Sequence, residues 1–314
     1  RWLCGGHRQT LAGALLPRHN ALPAPQKRLV EVEAGTGVLT FCNWQPEPRC
    51  ALTLVIVHGL EGSSESQYVI GTANKAWAAG MNVVRMNVRS CGASARFAPT
   101  LYHSGLSQDV GMVVRELISG DKLPRIALAG FSMGGNMVLK LAGELGMDAP
   151  RELRAVAAVC PGIDLAVAAD ALHLWRNRLY EWNFVYNLRR SFRRKAGLYP
   201  DRYNVGCLRG VRSLRAFDDV VTAPHWGFSG ADDYYTRASA AQVLQRIAVP
   251  TLVIHALDDP FVRITVQTRA RLAANPNVRL VETAHGGHCG FLAKPEGYDG
   301  RWAERRIIEF LKPL

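Results

Sequence analysis

The chain predicts an α/β fold, with a mostly parallel central sheet, helices on both faces and a mostly helical insertion. Three observations predict it. From Leu52 to Cys160, short apolar runs of strand length alternate with stretches of helical period, a rhythm that calls for right-handed crossovers and a parallel sheet. The rhythm returns from Gln242 to the C-terminus. Between Pro161 and about Phe228 it fails, and eleven Lys/Arg stand against six Asp/Glu beside Trp175, Trp182, Tyr186, Tyr199, Tyr203 and Trp226.

In order, Trp2 to Pro25 mixes prolines, basic residues and apolar residues without a period and reads as an arm over the main domain. Alternation in Leu29–Glu33 and Leu39–Trp44 around Gly35-Thr36-Gly37 predicts a hairpin at an antiparallel sheet edge. Leu52–Val57 is the first largely apolar strand and ends at His58-Gly59. Tyr68–Ala79 reads as a helix stopped by Gly80. Asn82–Asn87 is the next strand, and Gly105–Ile118 a helix with one buried face. Arg125–Ala129 and Ala155–Cys160 are further buried strands, followed after the insertion by Thr251–His255 and Val278–Val281 and by a last helix near Arg301–Phe310. The expected division is a core over 1–160 with the arm at 1–27, a cap over 161–228, and the rest of the core over 229–314.

At 314 residues the chain can bury a large core. No apolar run approaches the ~18 residues needed to span a bilayer. It begins at Arg1, so a processed or trimmed N-terminus is expected. The seven cysteines are odd in number and form no C-x-x-C, which argues against a disulfide framework or a zinc site and for a reducing cytoplasm. The formal charge of +12 raises nucleic acid and anionic membrane as partners. No nucleic-acid motif accompanies it. The densest basic run, Arg189, Arg190, Arg193, Arg194 and Lys195, interleaves with Leu188, Phe192 and Leu198, as in a helix lying on an anionic lipid surface; the plainer reading is a solvated helix face.

Chemistry concentrates at strand ends. Gly130-Phe131-Ser132-Met133-Gly134 lies where an apolar strand meets a helical stretch, the setting of the nucleophile elbow of α/β-hydrolases, where only small flanking residues let strand and helix approach. A nucleophilic Ser132 needs a base, and the base needs a carboxylate, in the chain order Ser, acid, His. Asp258-Asp259-Pro260 follows the strand ending at His255, and His285-Gly286-Gly287-His288 follows the last strand. Asp259 is favoured over Asp258 because Asp-Pro followed by an apolar residue is common at this turn. His288 is favoured over His285 because two glycines let its loop fold over the sheet edge. Two N–H groups are expected to receive an oxyanion, from Met133 and from Leu60 after His58-Gly59.

These residues resemble the YheT-like esterase family of the α/β-hydrolase superfamily, which includes plant embryogenesis-associated relatives. The resemblance spans nearly the whole chain: Gly6-His7-Arg8-Gln9-Thr10, His58 to Gly62, Asn87 to Gly92, Gly130 to Asn136, Phe217-Asp218-Asp219, Asp233-Tyr234-Tyr235, Asp258 to Phe261 and Gly286 to Phe291. Ser90 departs from the pattern, which often has Gly there. The resemblance implies Ser132, Asp259 and His288 as a triad. The expected protein is a carboxylic-ester hydrolase working through an acyl-enzyme on a small-molecule ester or lipid, with no metal or organic cofactor. Alternatives are a phospholipase or acyltransferase, a thioesterase, and a non-catalytic binding protein of the same fold. Transfer is the lesser of these, since Ala293 takes the last position of an H-x-x-x-x-D signature after His288.

Overall fold

The computed structural model describes residues 3–314. Eight strands form one sheet: β1 (Gln26–Glu33), β2 (Thr36–Asn43), β3 (Thr53–Val57), β4 (Asn82–Met86), β5 (Ile126–Phe131), β6 (Leu153–Val159), β7 (Thr251–Ala256) and β8 (Val278–Thr283). Their order is β1-β2-β4-β3-β5-β6-β7-β8. The β1–β2 hairpin and its junction with β4 are antiparallel, and every other pairing is parallel. Every residue of β3, β4, β5 and β7 is buried, as expected for parallel strands covered on both faces. Helices α2 (Gln67–Ala78) and α11 (Trp302–Leu311) cover one face; α3 (Ser107–Ser119) and α4 (Met133–Leu145) cover the other. Between β4 and β5 in the sheet lies β3, the point where successive connections leave in opposite directions and a crevice opens at the strand C-termini.

Arg89, just past β4, braces this crevice. Its guanidinium grips the buried Asp109 of α3 through two bonds of 2.7 and 2.6 Å, reaches Glu33 and Thr100 with its remaining nitrogen, and stacks on Trp226. Removing Asp109 leaves the buried Arg89 guanidinium with only the half-exposed Glu33 as counter-charge, so Asp109→Ala is expected to cost roughly 3–5 kcal/mol. Urea unfolding should show a lower midpoint at unchanged slope.

The segment between β6 and β7 is helical: α5 (Leu165–His173), α6 (Arg178–Leu198), α7 (Leu214–Phe217), α8 (Ala223–His225) and α9 (Ala231–Ala238), with a π-turn over Asp218–Thr222. It has an apolar cluster of its own around Phe192, Tyr203 and Phe217. Leu188 and Phe192, which in sequence interleave with the basic run, are buried in that cluster, and Lys195 is drawn inward onto the carbonyls of Ala95 and Ala98. Only Leu198 of the three apolar residues stays exposed. The other exposed apolar residues of α6 precede the basic run: Leu179, Trp182 and Tyr186. After α10 (Val266–Ala274) and β8 the chain returns over the sheet edge.

The N-terminal arm contains a helix, α1 (Gly6–Leu15), that the sequence conceals because its buried face is made of Gln9, Thr10 and Gly13 rather than apolar residues.

Candidate active site

The glycines around Ser132 leave no room for a side chain. A Cβ on Gly130 would sit 2.2 Å from the Gly134 carbonyl oxygen, and one on Gly134 would sit 2.4 Å from that of Val57. This close crossing of β5, β3 and α4 forces Ser132 into the left-handed region, at φ 55°, a conformation that costs a non-glycine residue free energy and persists only where its surroundings impose it. Asn136, one turn into α4, donates to the carbonyls of Ser104 and Ala238 and accepts from the Ala240 N–H. That ties the elbow helix to the end of α9.

Ser132, His288 and Asp259 meet. Ser132 Oγ lies 2.8 Å from His288 Nε2, and His288 Nδ1 lies 2.8 Å from Asp259 Oδ2. Asp259 Oδ1 accepts the N–H groups of Phe261 and Val262, and the Phe261 ring packs on the imidazole at 4.4 Å. Burial pushes the Asp259 carboxyl up, but His288 and the Val262 N–H more than reverse this, leaving it below its ordinary range. Burial likewise disfavours charge on His288, yet the neighbouring Cys289 and Asp259 hold it well above the usual imidazole value.

The two residues weighed against them in sequence pair with each other. His285 Nδ1 lies 3.3 Å from Asp258 Oδ2, at the surface, while Asp258 Oδ1 accepts the N–H groups of Gly286 and Gly287. Asp258 thereby fixes the loop that carries His288. From the other side α1 completes the clamp: the His288 N–H donates to Thr10 Oγ1 at 2.8 Å, Gln9 accepts from the Leu292 N–H, and Gly287 packs against the carbonyl of Gly6.

His58, after β3, is a structural residue. Its Nε2 accepts the Val88 N–H at 3.0 Å, its Nδ1 faces the Gly59 carbonyl, and burial lowers it to about 4. Gly59 lies so close to Ser132 that a Cβ would meet the serine Cβ at 3.1 Å. The next residue is Leu60. Neither its N–H nor that of Met133 donates to a protein acceptor among the described residues, and both residues line one cavity with Ser132.

The cavity walls are mostly apolar, with Leu165, Leu172, Phe184, Leu188, Leu214 and Phe261 among them. Two hydrogen-bonded polar groups interrupt the apolar lining. Glu61, itself at φ 54°, accepts from Tyr102 OH at 2.7 Å and from Ser191 Oγ at 2.5 Å. Asp218 accepts from Thr222 and Tyr235, both at 2.7 Å. In the sequence Asp218 stands out only through the Phe217-Asp218-Asp219 motif of the family resemblance. Burial raises it to about 6. Since this folded value exceeds that of the unfolded chain, its contribution is fully present below about pH 4 and lost as pH rises through 6, by about 3 kcal/mol. The stability difference between wild type and Asp218→Asn, measured in urea, should therefore move in favour of the Asn variant by that amount between pH 4 and pH 8.

Two donor groupings could meet a cation among the described residues: Cys160, His288 and Cys289, and Cys160, His255 and Asp259. A cation in either would compete with the Ser132–His288–Asp259 bonds, so these residues fit proton transfer better than metal ligation. No helix is long and apolar enough to cross a membrane among the described residues.

A family model described as the alpha/beta hydrolase fold matches residues 53–295. The chain is 34% identical over 312 residues to YheT of Escherichia coli, which carries a provisional esterase name, covering 97% of this chain and 89% of that one. It is 30% identical over 303 residues to a phospholipase of Mus musculus, covering 93% and 72%. Among solved structures, an esterase of Pyrococcus furiosus superposes with a TM-score of 0.62 at 17% identity, over 92% of each chain.

Proposed function

The chain belongs to the α/β-hydrolase family, and from that premise we propose that it is a serine esterase whose triad is Ser132, His288 and Asp259. The observation that carries the proposal is the continuous chain of two 2.8 Å hydrogen bonds from Ser132 through His288 to Asp259. As Ser132 Oγ attacks an ester carbonyl, its proton passes to His288 Nε2, while Nδ1–H stays bonded to the ionised Asp259, which steadies the imidazolium. The N–H groups of Leu60 and Met133 receive the oxyanion, each contributing roughly 2.7–4 kcal/mol. Collapse of the tetrahedral species breaks the ester C–O bond, and His288 gives its proton to the departing alcohol. Water, deprotonated by the same histidine, then releases the acid and restores Ser132.

The helices between β6 and β7 act as a cap in this reading, since the segment that carries them supplies more than half of the residues lining the cavity around Ser132. The apolar walls favour a hydrocarbon acyl group, and the phospholipase name of the mouse relative makes a lipid ester the natural second candidate. An active-site-directed fluorophosphonate should label the wild-type protein at Ser132, identified by peptide mass. A panel of p-nitrophenyl esters of graded acyl length then reads the preference. Absence of both labelling and ester turnover would count against an enzyme and favour a binding protein on the same fold.

A further inference from the structure

Helix α6 has two working sides. Inward, Phe184, Leu188, Ser191 and Phe192 line the cavity that holds Ser132. Outward, it presents a stripe that folding leaves uncovered: Trp175 just before the helix is 83% exposed, Leu179 82%, Trp182 66% and Tyr186 53%. Spacings of four, three and four put these residues on one face of a helix. Trp182 and Tyr186 stack on each other at 5.7 Å. Further along the same face stand Arg190, Arg193 and Arg194, all exposed, with no carboxylate at ion-pair distance among the described residues. Over 175–198, seven Lys/Arg face a single acid, Glu181, which is buried against His173.

A solvated helix gains nothing from two exposed tryptophans two turns apart with an exposed leucine between them, since each leaves a large apolar surface in water. Amphipathic aromatic rings beside unpaired arginines match the boundary of an anionic bilayer, where rings enter the headgroup region and cations meet lipid phosphates. We infer that the outer face of α6 is a docking surface for an anionic lipid membrane and sets the protein down with the wall of its Ser132 cavity next to the lipid. The membrane, rather than a protein or nucleic-acid partner, is favoured by charge complementarity together with the aromatic stripe. Basic charge alone would serve nucleic acid, and an apolar stripe alone would serve a second copy of this chain.

The docking inference stands apart from the esterase reading, and co-flotation of the purified protein with vesicles tests it without catalysis. Binding is expected to vesicles of phosphatidylglycerol and phosphatidylcholine, weak binding to phosphatidylcholine alone, and a blue shift of tryptophan emission on the former. Trp175→Ala with Leu179→Ala and Trp182→Ala should weaken partitioning at least tenfold. Arg190→Gln with Arg193→Gln and Arg194→Gln should remove the preference for the anionic lipid and its salt sensitivity. All six positions are exposed, and unchanged circular dichroism and turnover of a soluble short-chain ester would verify that each variant is folded. Equal flotation of wild type and the aromatic variant overturns the inference, as does equal binding to both lipids. Dimers in sedimentation velocity that disappear in the aromatic variant would assign the stripe to a second copy instead. If the fluorophosphonate fails to label a protein that still floats, the esterase reading falls and the docking surface stands.

Discussion

Ser132→Ala is expected to abolish fluorophosphonate labelling and to lower kcat for a p-nitrophenyl ester by a factor on the order of 10⁴–10⁶, with little change in KM. The size follows from what is lost. Without Oγ no acyl-enzyme forms, and His288 can only assist direct attack by water, with the amides of Leu60 and Met133 still in place. The fold should be spared. Ser132 sits at φ 55° because Gly130, Gly134 and Val57 crowd around it, and alanine meets the same backbone demand as serine. A stopped assay with unchanged urea stability is therefore the expected pair of results. Retained turnover in Ser132→Ala would remove the serine from the mechanism.

Asp259→Asn tests the far end of the hydrogen-bond chain. Asn is nearly isosteric, but it cannot offset the positive charge that grows on His288, and its amide can donate to Nδ1 and enforce the wrong tautomer. A loss of about 10⁴ in kcat is expected. The pH profile gives an independent readout. His288 must be neutral to accept the Ser132 proton, and in the wild type it is held well above the ordinary imidazole value. The acid limb of kcat/KM should therefore lie alkaline of 6.5. Loss of the Asp259 charge removes one of the groups that favour the imidazolium, so the residual activity of Asp259→Asn should show that limb at lower pH. A limb that stays in place would mean that another residue sets it.

Much of this was legible in the linear sequence. The strands from Leu52 onward announce themselves because buried parallel strands must be apolar throughout, and the elbow announces itself because only glycine fits where Val57, Gly130 and Gly134 cross. The choices between Asp258 and Asp259 and between His285 and His288 rest in sequence on turn chemistry and loop glycines. In space they are two separate pairs, one joined to Ser132 and one bracing the loop beside it. Other features have no linear signature. Helix α1 buries polar and small residues, so no hydrophobic period betrays it. In α6 Leu188 and Phe192, set among the arginines, turn inward while Leu179, Trp182 and Tyr186 before them stay exposed, a distinction that only the helix's seating on α5 and α7 decides. Burial raises the Asp218 carboxyl against the opposing hydrogen bonds from Thr222 and Tyr235, a surrounding assembled from the π-turn and α9.

The clamp between α1 and the His288 loop bears on how the protein comes to life. Thr10 and His288 are joined across 278 residues, and closing a loop of that length costs about 5 kcal/mol in chain entropy. In an unfolded chain that cost would fall on this one contact, so it forms profitably only once the sheet between has drawn the two segments together. During synthesis, everything through β7 can assemble while residues 6–13 still lack the segment they clasp, since residues 286–292 emerge after it. The proposed triad is in this sense completed late: a nascent chain carries Ser132 on a finished elbow before His288 is locked in place. Recovery of secondary structure on refolding should accordingly precede recovery of reactivity at Ser132.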